Sequence, residues 1–255
     1  MSAAIPITKT VIQPRISDNG NRVFSGEILG RIPHSELDLI RSRLEYAPFR
    51  SHQVLHEAGG KIAFAYFIEN GLVSVVNIQP DGKSVEVALI GCGGFAGLPI
   101  VDGFTTSPNR LITQADGTTY RIAGNTLREL LPHCPQLNVE LHRYGQRLAM
   151  QAMQIAACNG LHEVEERLAR WLLMSQDLLG SDELPLTQHL LGQMLGTRRS
   201  SVSLAAGALS RAGIISYRRG RVTVLDKGKL QDAACQCYQL IKQQLGNWAA
   251  ETQSV

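Results

Sequence analysis

One long stretch of this chain has no acidic residue. Between Leu186 and Leu225 stand six arginines and no Asp or Glu, although the 255 residues together carry a formal charge of only +3. The positive charge is therefore local, and a local basic face calls for a polyanionic partner. Long apolar runs are missing too: none approaches the roughly 20 residues that a membrane-spanning helix needs, so no membrane partner is expected. The opening MSAAIPITKTVIQPRISDNGN has neither a basic n-region nor an apolar core. A secretory signal is thus not expected, and residues 1–20 read as a loose tail. Cysteine is sparse and odd in number (Cys92, Cys134, Cys158, Cys235, Cys237), which fits a reducing cytoplasm better than a disulfide framework. Only Cys235-x-Cys237 looks paired, and on a helix residues two apart point in different directions. It reads as two small half-buried side chains rather than a metal or redox site. Internal repeats, low-complexity segments, a phosphate loop, a nucleophile elbow and histidine-rich metal spacing are all missing. No catalytic residue or metal ligand is assigned, and an enzyme is not expected.

What the acid-free stretch does contain is ordered. Thr187 suits an N-cap, and Leu190, Leu191, Met194 and Leu195 follow at helical spacing as far as Gly196, which can turn the chain sharply. A second helix is expected from about Arg198. Val202, Ala205, Ala206 and Leu209 form its inner face, and Arg198, Arg199, Ser200, Ser201 and Ser203 its outer one. Gly192, Ala205 and Ala206 are small where such a pair must cross. After Ala212-Gly213 the period becomes alternating, and IISYRRGRVTVL reads as a hairpin turning at Arg219-Gly220. Two short helices and a hairpin make a winged helix-turn-helix. Its second helix would enter the major groove of double-stranded DNA, with Arg218, Arg219 and Arg221 beside phosphates.

Ahead of this unit, Asn21 to Tyr46 reads as a helical lead-in ended by Pro48. Alternating stretches at 63–68, 72–78 and 84–90, with turn signals at Gly59-Gly60, Asn70-Gly71, Asp81-Gly82 and Gly91 to Gly94, read as a β-roll. A short helix from Gly124, with Asn125 as its cap, leads to Pro135. From there Leu137, Leu141, Tyr144, Leu148, Ala152 and Ile155 recur at steps of three and four. That stripe predicts a helix up to Asn159 along which two copies pair as a parallel coiled coil. Asn159-Gly160 is the expected hinge. A helix with Leu161, Val164, Leu168, Trp171 and Leu172 inward follows it, and the chain ends on one amphipathic helix, Lys229 to Leu245. The expected class is α+β: a jelly-roll-like effector domain (residues 21–134), a dimerisation helix (135–159) and the winged helix-turn-helix domain (160–255).

This order of parts resembles the Crp/Fnr family of bacterial transcription regulators. NGLHEVEERLARWLL (159–173) is similar to the helix after the family's hinge. Val54 to Val76 and Gly91 to Leu98 look like its effector-domain signature. The resemblance implies a homodimer on a palindromic operator, with RNA polymerase as a further partner. It places base contacts at Arg199, Ser200, Ser203 and Leu204, and backbone contacts at Thr187, Arg198, Ser201, Arg218, Arg219 and Arg221. Ser200 stands where many members have Glu, and Leu204 where many have Arg, so the operator should differ from the family's familiar ones. The effector loop falls on Gly94, Phe95, Ala96, Gly97 and Leu98, with Arg110 nearby. Members that bind cyclic AMP carry a Glu in that loop for the ribose and an Arg followed by Ser or Thr for the phosphate. Here there is no Glu, and Leu111 follows Arg110, which argues against cyclic AMP. No cysteine precedes Cys92, against an iron–sulfur cluster. Haem would have to take His52 or His56, which read as solvated strand-edge residues. The cofactor is left unassigned. The alternative is a cyclic-nucleotide-type module that acts on a protein partner.

Overall fold

The computed structural model of the chain describes residues 26–253. The expected loose tail and the start of the helical lead-in lie outside them. The lead-in is two short helices, α1 (Glu27–Arg31) and α2 (His34–Arg41), and Tyr46 belongs to a strand instead. Strands β1 (Glu45–Phe49), β2 (Val54–His56), β3 (Phe64–Ile78), β4 (Ser84–Ile90), β5 (Phe95–Ala96) and β6 (Arg110–Ala123) form one antiparallel sheet. Its order is β1-β6-β3-β4, with β2 also on β6 and β5 on β3. Alternation puts Ala65, Phe67, Tyr120 and Ile122 in a core with α1, α2 and the first turns of the long helix.

Asn70-Gly71 is not the turn that the sequence suggests. The chain runs straight through it as one strand paired to β6, and the register shifts between Ile68 and Val73. Gly71, at φ 97°, lies against Phe49 and Gly117, so a side chain there would collide. The dipeptide forms a bulge, which uses the same left-handed conformation as a hairpin. Asp81-Gly82 does turn, closing β3 onto β4.

Helix α3 (Gly124–Leu130) has Ala123 at its N-cap position, and Asn125 lies inside it. Helix α4 (Pro135–Leu161) continues through Asn159-Gly160 without a break. At about 1.5 Å per residue it is roughly 40 Å long. The break comes at His162, and Glu163 with Glu166 then forms a capping box that starts α5 (Val164–Leu179). The expected hinge thus moves two to three residues onward, to the point where a new cap outcompetes continuation. Leu161 does not face a core; it is 79% exposed.

The apolar stripe of α4 faces its own chain more than a second copy. Leu137, Leu141 and Ile155 are fully buried in their own chain, and Tyr144 and Leu148 pack on the sheet. Tyr144, Leu148 and Ala152 are half-buried, so the expected stripe turns wholly or partly inward in the single chain. A different face is left in solvent, carrying Val139, His142, Gln146, Ala149, Met153, Ala156 and Gly160. Its steps alternate three and four over three heptads.

The C-terminal part holds β7 (Glu183–Leu184), α6 (Gln188–Met194), α7 (Arg199–Arg211), β8 (Ile215–Arg218) and β9 (Arg221–Val224), the strands in the order β7-β9-β8. The chain ends in two helices, α8 (Lys227–Ala233) and α9 (Cys237–Gln253), rather than one. The break at Ala234 places Cys235 outside any helix. One core joins the two halves: Leu72, Val76 and Leu89 of the sheet pack with Leu168, Trp171 and Leu172 of α5 and with α6 and α7. At its centre Glu86 is buried, accepting hydrogen bonds from Trp171 Nε1 at 2.7 Å and Ser74 Oγ at 2.5 Å. Burial pushes the Glu86 carboxyl up to about 8, the two hydrogen bonds opposing it.

Candidate DNA-binding surface and effector cavity

Thr187 caps α6, its side chain accepting from the Leu190 N–H at 3.2 Å. Gly196 then takes φ 58°, which an L side chain resists, and the chain reverses into α7. Gly192 lies against the Thr197 carbonyl and the start of α7, so the two helices meet closely. Val202, Ala205, Ala206 and Leu209 are buried, as their spacing predicts. Burying Val202 and Leu209 contributes about 1.5–3 kcal/mol each, enough to fix which face of so short a helix turns outward.

On that outer face Arg198, Arg199 and Ser200 are exposed, and Ser201 and Ser203 half-buried. Ser203 Oγ donates to the Arg199 carbonyl at 3.0 Å. Leu204 is 74% exposed, although it is apolar. The wing turns at Arg219 (φ 48°) and Gly220 (φ 77°), both left-handed as a two-residue hairpin of this twist requires. Arg218 and Arg219 project into solvent. Arg221 does too, but it is ion-paired with Glu183 of β7, an acid just outside the acid-free stretch. Sequence spacing could not show that partner, because β7 joins the wing through tertiary pairing.

The expected effector residues divide between two cavities and the surface. Phe95, Ala96, Gly97 and Leu98 line a cavity of about 260 Å³ between the sheet and α4, with Leu148, Ala149 and Ala152 on the helix side. Gly94 lines a neighbouring cavity of about 240 Å³ with Tyr144 and Arg147. Arg110 lines neither: its guanidinium bonds Glu57 at 2.8 Å on the surface. Among the described residues, the lining of the first cavity holds no Lys, Arg, Asp or Glu.

His56 also departs from expectation. It is buried rather than solvated, with Nε2 2.7 Å from the Phe64 carbonyl, and it lines the first cavity. That bond makes Nε2 the donor and leaves Nδ1 an acceptor. Nδ1 has no partner among the described residues. Burial lowers the ring's pKa, the Phe64 carbonyl opposing, so the imidazole is neutral at pH 7. Residue type alone could not distinguish it from exposed His52, which lies in the turn just before the same strand.

A helix-turn-helix with an arginine-bearing outer face and a basic wing, on a domain docked to a cavity-bearing β-roll, defines a DNA-binding transcription regulator. Residues 166–233 match the Crp-like helix-turn-helix domain, and residues 47–134 the cyclic nucleotide-binding domain. The transcriptional regulator SdrP of Thermus thermophilus is 25% identical over 67% of this chain and 83% of its own. LdrP, a transcriptional regulator of the same species, is 25% identical over 73% and 95%. Among solved structures, FixK2 from Bradyrhizobium japonicum is similar at TM-score 0.64 and 17% identity, over 75% of this chain and 98% of that one. The chain belongs to the Crp/Fnr family of transcription regulators. Among the described residues, no helix is long and apolar enough to cross a membrane.

Proposed function

We propose that this regulator works in the cytoplasm as a homodimer, reads a palindromic operator, and responds to a small uncharged, largely apolar effector rather than to cyclic AMP. The observation that carries the DNA reading is the exposure of Arg198, Arg199, Arg218 and Arg219 on one acid-free, internally packed unit. Arg199 is the base reader, since a guanidinium can bond a guanine edge through two donors. Ser200, Ser203 and Leu204 complete the reading face. Solvent-exposed Leu204 suits a thymine methyl, a contact that an arginine at this place would not make. Thr187, Arg198, Ser201, Arg218 and Arg219 hold phosphates; Arg221 must first leave Glu183 to join them.

The dimer forms along the exposed face of α4. Val139, Gln146, Met153 and Gly160 occupy one heptad position, and His142, Ala149 and Ala156 another, the pattern of a two-stranded seam. Ala149 belongs both to this seam and to the lining of the first cavity. An effector there would press on the helix that sets the spacing of the two recognition helices. A cyclic phosphate finds no cation in that lining, whereas the free acceptor of neutral His56 offers one hydrogen bond to an otherwise apolar molecule. RNA polymerase is a further partner in this reading.

Titration against duplex DNA at several salt concentrations tests it. The expected result is a steep fall of affinity with salt together with a preference for a two-fold symmetric sequence. Salt-independent or undetectable binding would instead support a β-roll module that acts on a protein partner.

A further inference from the structure

The break between α8 and α9 assembles a site that spacing alone conceals. Cys235 stands in the break and Cys237 opens α9, so the two sulfurs turn to the same place. They meet Cys158, in the last turn of α4, and His162, at the break that follows it. The four potential ligand atoms all lie within 4.8 Å of one another. Cys158 and Cys235 sulfurs are 3.4 Å apart, and Cys237 Sγ is 3.6 Å from His162 Nδ1. Around a tetrahedral zinc ion with ~2.3 Å bonds to sulfur and ~2.0–2.1 Å to nitrogen, neighbouring ligand atoms stand roughly 3.6–3.8 Å apart. The two closest separations, 3.4 and 3.6 Å, approach those of a zinc coordination shell, and all the others are within 4.8 Å, a distance that small side-chain movements would close around an ion.

The surroundings suit an anionic centre. The three cysteines are buried and His162 half-buried. Gln154 Nε2 donates to Cys237 Sγ at 3.1 Å, as an outer-shell donor to a ligating thiolate would. Arg170 is 1% exposed and Arg167 8%, and the Nε of each has no partner among the described residues. Three thiolates and a neutral imidazole around a divalent cation leave one net negative charge. Arg167 and Arg170 interact electrostatically with this cysteine cluster, and their positive charges offset it.

We propose that Cys158, His162, Cys235 and Cys237 bind one zinc ion, which staples the last helix to the junction between the effector and DNA-binding halves. The ion holds α9 against the end of α4, next to the break at His162 from which the DNA-binding half departs. Zinc fits better than softer or redox-active alternatives because the donors are mixed sulfur and nitrogen, four in number and close together.

The test uses the full-length protein purified under reductant without chelator. Elemental analysis should give about one zinc per chain. Exchange with cobalt(II) should give the intense visible bands of a four-coordinate, thiolate-bound ion. His162→Ala should keep the fold and weaken cobalt binding roughly tenfold or more, with altered bands as water replaces nitrogen. Cys158→Ser and Cys235→Ser should abolish the bands, while Cys92→Ser, at an exposed cysteine outside the cluster, should leave them unchanged. Folded wild-type protein that retains no zinc and shows no cobalt bands would overturn the proposal. So would a brown iron chromophore, or a Cys158–Cys235 disulfide formed in the presence of zinc with none bound.

Discussion

Arg199 and Arg219 carry the same charge, but one stands on the recognition helix and the other at the tip of the wing. Replacing Arg199 with Ala should cost about 1–3 kcal/mol on the preferred sequence and relax specificity. Arg219→Ala should weaken all DNA alike and reduce the salt slope by about 1. Equal losses on specific and random duplexes for Arg199→Ala would remove it from base reading. Glu86 gives a second prediction. Its carboxyl ionises near 4.5 when free and near 8 when folded, so between those values the folded chain binds the extra proton. Stability from this group is therefore complete below about 4.5 and falls as pH rises towards 8, by up to about 1.4 kcal/mol per pH unit. Glu86→Gln keeps an acceptor for Trp171 and has no proton to lose. Thermal unfolding from pH 5 to 8 should show a smaller pH slope in Glu86→Gln than in wild type. Residues whose roles are local were legible in the sequence: the Thr187 cap and the Arg219-Gly220 turn follow from neighbours in the chain. His56, Arg110 and Arg221 were not, because Phe64, Glu57 and Glu183 decide their state through pairing across the sheets or between strands.

Helix α4 carries two stripes, and periodicity reveals the more apolar one. That is the stripe which the chain buries for itself. The exposed stripe, rich in small residues with one Met, has too little hydrophobicity to stand out, yet it is the face that stays in solvent and that the proposed dimer would use. The two faces respond differently to substitution. Leu141→Ala should destabilise the fold by about 2–5 kcal/mol without altering assembly. The pair Ala149→Glu and Met153→Glu should leave the fold intact and convert a dimer to a monomer in sedimentation, because it sets like charges across the seam. A dimer unaffected by that pair would place the interface elsewhere. The same logic explains the two misread glycines. Asn70-Gly71 supplies a left-handed residue for a bulge rather than a turn, and Asn159-Gly160 stays helical because the Glu163 capping box ends the helix later.

Across the whole molecule, the order of parts was legible because each has its own period, while the way they dock was not. The winged helix-turn-helix shares one core with the β-roll, pinned by the Trp171–Glu86 hydrogen bond. Gly196, at the turn between α6 and α7, lies against Val85 of β4. The basic unit is thus held by the effector domain and by α5, which packs on α7. In the proposed dimer this unit reads one half of a symmetric DNA sequence. The most direct measurement is selection of bound duplexes from a random pool by the wild-type protein and by Arg199→Ala. Wild type should enrich a two-fold symmetric sequence, with half-sites about 34–36 Å apart along the helix, and Arg199→Ala should lose a base preference at symmetry-related positions. Enrichment of no sequence, or of a single unrepeated half-site by both proteins, would contradict it.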